Sequence, residues 1–97
     1  MAYDPGAIES TLAAAVGDDA QLIAELRTAF AESARRDMAA VEQAASQADW
    51  EAATAKLKSL AGSFGAVRLM AAADDAGRAP VGDQDALRRL RRVIPKG

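Results

Sequence analysis

The sequence predicts an all-α fold: an up-and-down four-helix bundle with a short additional N-terminal helix, in one domain of residues 1–97 with its bundle core at 18–94. Three observations predict it. Alanine supplies much of the 51% hydrophobic fraction, and the aromatics are one Trp, one Tyr and two Phe. Alanine is the best helix former and buries little area, so helices are expected to approach closely. Apolar residues recur every three or four positions over long stretches. The sparse β-branched residues do not alternate with polar ones, so no strand competes.

Each element has its own signals. Asp4-Pro5 opens a first helix near 7–16, because Asp caps and Pro suits the first helical position. Its residues Ile8, Leu12 and Val16 recur every four, and Gly17 ends it. Asp18 is read as the cap of a second helix, with Gln21 completing a capping box. That helix is expected near 18–47, about 45 Å at 1.5 Å per residue. Neither Pro nor Gly interrupts it, and Leu22, Leu26, Phe30, Ala34, Met38, Val41, Ala45 and Ala48 form one stripe. Arg27 and Asp37, at the edges of the stripe, are expected to reach solvent.

Asp49 is read as the cap of a third helix near 50–62, with Ala53, Leu57, Leu60 and Phe64 inward and Gly62 and Gly65 weakening its end. A fourth near 66–78 turns Ala66, Leu69, Met70 and Ala73 inward and is broken by Gly77, Pro80 and Gly82. Asp83 caps the last, near 83–94, with Leu87, Leu90 and Ile94 inward and Pro95 as its stop. The short connections favour antiparallel neighbours, with the first helix covering one end of the bundle.

Composition narrows the function. There is no cysteine, which excludes disulfides and thiolate metal sites and fits a reducing, cytoplasmic compartment. There is no histidine either, which removes the commonest acid–base residue and metal ligand. No apolar run approaches the ~20 residues that span a bilayer. The start Met1-Ala2-Tyr3-Asp4-Pro5 lacks the basic-then-apolar layout of a signal peptide. No cofactor or metal is implied, and Ser59 and Ser63 have no candidate base to activate them. An independent enzyme is not expected.

Charge is asymmetric. Residues 1–87 carry 7 basic and 14 acidic side chains, a net of −7, whereas Arg88, Arg89, Arg91, Arg92 and Lys96 give the last ten residues +5. This patch admits nucleic-acid binding as a competing reading. Against it, no aromatic stacking residue lies nearby, and cations at a helix C-terminus complement the helix dipole. A purely structural helical module is the other alternative.

On the third helix, with Leu57 taken as inward, Ala55 points about 160° away at 100° per residue. Ser59 and Gly62 share that outer side, and Glu51 lies one turn earlier. Most outward faces carry long charged side chains, so this ridge of small residues suits close approach by another protein's backbone. An ordinary solvated face in an alanine-rich chain would carry the same residues.

The run from Ala55 to Leu69, Ala55-Lys56-Leu57-Lys58-Ser59-Leu60-Ala61-Gly62-Ser63-Phe64-Gly65-Ala66-Val67-Arg68-Leu69, resembles the central signature of histidine-phosphotransfer (HPt) domains. That pattern reads His-x-Leu-Lys-Gly/Ser, then small residues, an apolar residue, Gly, and Leu four residues on. Leu57, Lys58, Ser59, Phe64, Gly65 and Leu69 match in register, and the resemblance extends over most of residues 8–94. The phosphorylated histidine corresponds to Ala55, whose methyl group has no lone pair to attack phosphorus. Lys58 matches the lysine that lies beside the phosphoryl group; here it is expected to be an exposed cation available to a partner's acidic pocket.

The resemblance therefore implies a pseudo-HPt adaptor that binds the receiver domain of a response regulator or hybrid histidine kinase without carrying phosphate. The implied contact residues are Glu51, Ala55, Lys58, Ser59, Gly62, Ser63 and Ala66. Two origins fit Ala55: natural degeneration, or a phosphotransfer protein whose histidine was replaced by alanine. Thr54, where the family often has alanine, leans toward natural divergence.

Overall fold

A computed structural model describes residues 5–17 and 19–95, and its regular structure is entirely helical. Five helices follow in order: α1 (Pro5–Val16), α2 (Ala20–Gln43), α3 (Gln47–Ser63), α4 (Val67–Gly77) and α5 (Gln84–Val93). Among the described residues no helix is long and apolar enough to cross a membrane.

The caps correct two expectations. Asp18 lies outside the described residues, and it is Asp19 whose carboxylate accepts from the Leu22 amide at 3.0 Å. Gln21 donates to Glu25 instead of closing a capping box. The third helix is capped by Ser46, not Asp49: Ser46 is extended and its Oγ accepts from the Asp49 amide at 3.1 Å. Serine bonds backbone amides better at a cap than inside a helix, and Ser-x-x-Asp is itself a helix-start pattern. This stops α2 at Gln43, four residues early, with a length of about 36 Å. Ala45 and Ala48 therefore leave the α2 stripe and are exposed.

Helices α2, α3 and α4 run antiparallel in succession. Phe64 stacks 4.9 Å from Phe30, while Lys56 reaches Asp37, so numbering falls on α2 as it rises on α3. Trp50 meets Ala76 and Lys58 meets Asp74, which gives the same relation between α3 and α4. Glu42 pairs with Arg91 at 3.0 Å, tying α2 to α5. Gln47 holds the α4–α5 connection, donating to the Ala79 carbonyl at 3.1 Å and accepting from the Val81 amide at 2.8 Å.

The core is built from Ile8, Phe30, Val41, Trp50, Leu57, Leu69 and Leu90, all essentially without exposure, with alanines 34, 61, 66, 73 and 76 between the helices. Trp50 and Thr54, not assigned inward from the sequence, are buried on α3 with Leu57 and Ala61. Ala53, Leu60 and Phe64 only flank that face. The Trp50 indole satisfies its N–H on the Ala76 carbonyl at 2.7 Å. Thr54 donates back to the Trp50 and Glu51 carbonyls. Asp37 is largely buried instead of solvated: it is 9% exposed, with Lys56 Nζ 3.7 Å from its carboxylate. Arg27 is half-buried and pairs with Glu9 of α1.

Gly65 fixes the α3–α4 turn. Its φ of +70° is left-handed, and a Cβ there would collide with Thr11 Oγ1 and lie 3.3 Å from the Ala7 carbonyl oxygen. Only glycine leaves room for α1 to rest on this turn.

Candidate functional site

The residues singled out on α3 divide by face. Trp50, Thr54, Leu57 and Ala61, spaced by fours and threes, are buried. Glu51, Ala55, Lys58, Ser59, Gly62 and Ser63 are all exposed. Ala55, Ser59 and Gly62 lie at i, i+4 and i+7, so the ridge is one continuous strip along the outer face. Ala66 does not belong to it. It is 3% exposed, because it precedes α4 where the chain turns inward and its methyl joins the core.

Few long side chains crowd the strip. Gln47 donates to Glu51 at 3.2 Å, drawing that carboxylate toward the N-terminal end. Ser63 spends its hydroxyl proton on the Ser59 carbonyl at 3.0 Å. A Cβ on Gly62 would meet only Met70 Sδ, at 3.4 Å, an ordinary contact. On the α2 side a shallow groove has Ser33, Arg36 and Asp37 on one wall and Lys56, Ser59 and Ser63 on the other.

On the α4 side, Lys58 is exposed but not unengaged. Its Nζ donates to Asp74 Oδ1 at 2.8 Å, and Arg78 donates to Asp74 Oδ2 at 2.8 Å. The Lys58 hydrogen bond, followed by that of Arg78, holds the Asp74 carboxyl below its ordinary value. Asp74 in turn raises the Arg78 guanidinium above its own. Sequence reasoning missed Asp74 and Arg78. The Asp74/Arg78 spacing of four was readable as a helical ion pair. The link to Lys58 needed the register of α3 against α4.

Chemically, the strip offers contact surface, one ammonium and backbone within reach, but no nucleophile at Ala55. At the other end of the chain the basic patch is partly neutralised: Arg88 pairs with Asp85 and Arg91 with Glu42. Compared with known proteins, the chain matches no family model, no curated sequence and no solved structure.

Proposed function

We propose that this chain is a degenerate HPt domain acting as a signalling adaptor: it docks a response-regulator or hybrid-kinase receiver domain on the outer face of α3 and carries no phosphate. In this reading α2 to α5 form the up-and-down four-helix bundle, and α1 lies over the end that holds the α3–α4 turn. The observation that carries it is the exposed strip of Ala55, Ser59 and Gly62 with Lys58 beside it. It stands in register with the HPt signature, on a helix flanked by antiparallel neighbours. A surface of small residues suits close approach of a partner, and the methyl of Ala55 leaves nothing to phosphorylate.

The test is calorimetric titration against a panel of receiver domains. Transient signalling contacts usually bury under ~1,200 Å², so micromolar affinity is expected. Ser59→Arg should abolish it by bulk, and Gly62→Glu by bulk and by repulsion of an acidic pocket. Both sites point outward, and Ser59→Arg should change stability by no more than about 0.5 kcal/mol. Binding that survives both substitutions would move the interface off α3.

A further inference from the structure

We propose that Asp74 is an intramolecular competitor for Lys58 that sets how tightly the α3 strip takes an acidic partner; this rests on the docking reading above. The Lys58 ammonium is about half exposed, so an incoming carboxylate can reach it, yet one carboxylate already sits 2.8 Å away. That carboxylate comes from the neighbouring helix and needs no backbone movement to let go. Release is also easy on the Asp74 side. Arg78 holds the other carboxylate oxygen, so Asp74 keeps a cationic partner after Lys58 leaves. The three side chains thus form a transferable arrangement: Lys58 passes from an internal to an external carboxylate while both charges of the original pair stay compensated. Lys56, on the opposite flank, has no comparable restraint, because Asp37 lies 3.7 Å away and the lysine is 77% exposed. The partner chemistry this fits is a carboxylate-lined pocket.

The experiment titrates a receiver domain that binds the wild-type chain against Asp74→Asn, Lys58→Gln, the double variant and Asp75→Asn. Exposed ion pairs shift equilibria modestly, so Asp74→Asn should tighten binding about two- to fivefold. Lys58→Gln should weaken binding, and the Asp74→Asn gain should vanish in its background. Asp74→Glu, which keeps the carboxylate, should return affinity to the wild-type value. Asp75→Asn makes the same change of net charge at a residue paired with Arg78 rather than Lys58, and should have little effect. The proposal is overturned if Asp74→Asn fails to tighten binding, if it tightens equally without Lys58, or if Asp75→Asn matches it. Failure of every receiver in the panel to bind the wild-type chain would remove the docking reading itself, and this inference with it. Binding that ignores Asp74 removes only the inference.

Discussion

Two side chains carry the clearest consequences at the scale of single residues. Trp50 is the largest buried group, and its indole N–H ends on the Ala76 carbonyl. That oxygen also accepts from the Ala79 amide at 3.0 Å, so Trp50→Phe does not orphan it. The substitution loses one hydrogen bond and opens space where the larger ring was. It should cost about 2–3 kcal/mol, read from urea unfolding by circular dichroism. A cost under about 0.5 kcal/mol would mean the ring is not enclosed as described. Asp74 gives a prediction in pH. Its folded value lies below the ordinary 3.8, chiefly through Lys58. Its contribution to stability is therefore present above the unfolded value and lost as pH falls through the depressed folded one. Lys58→Met should move the Asp74 carboxyl resonance titration upward toward 3.8, and the variant should lose less stability than wild type below that pH. An unmoved titration would show that Lys58 is not its main partner.

At the scale of elements, Gly65 determines how α1 meets the α3–α4 turn. Gly65→Ala adds left-handed backbone strain to a collision with Thr11, and should destabilise by about 2 kcal/mol or more. Gly82 has a similar φ of +78° with nothing within 4 Å of its added Cβ, so Gly82→Ala should cost only about 1 kcal/mol. Equal thermal shifts for the two would argue against α1 resting on the turn. Helix type and order were legible because the apolar spacing was long and uninterrupted, and all five elements fall within a few residues of expectation. The α2–α3 junction was misread because alanines 44, 45 and 48 extend a helical stripe at no visible cost, whereas Ser46 competes for the backbone with a single hydroxyl. Burial of Asp37 and Thr54 was equally hidden, since each depends on what the neighbouring helix brings. The exposure of Ala55, Ser59 and Gly62 followed from angles alone. The Lys58–Asp74 pair did not, although a hairpin centred on Ala66 would have placed those two residues level.

For the whole molecule, the HPt reading proposed above turns on whether the outer face of α3 has the geometry that a phosphate relay needs. Ala55→His adds a surface side chain among small neighbours, with Lys58 one turn away to offset developing negative charge. The fold should survive, and radiolabel from a cognate phosphorylated receiver should appear on the variant as acid-labile phosphohistidine. The unaltered chain should take none. A variant that folds and binds a receiver yet stays unlabelled would support the proposed docking and count against a transfer geometry at position 55. The asymmetry of charge along the chain is partly resolved in three dimensions, because Glu42 of α2 comes to Arg91 of α5 across 49 residues of sequence.

The amide of Gln47 has a consequence in the chemistry of ageing. One end of it donates to Ala79 and the other accepts from Val81, so a single side chain reads both polarities of the α4–α5 connection. Hydrolysis to glutamate would leave the acceptor and destroy the donor, setting a carboxylate oxygen against the Ala79 carbonyl. A stored sample that gains one mass unit at residue 47 should therefore loosen first between Ala79 and Val81, as faster amide exchange there, while the distant turn at Gly65 keeps its protection.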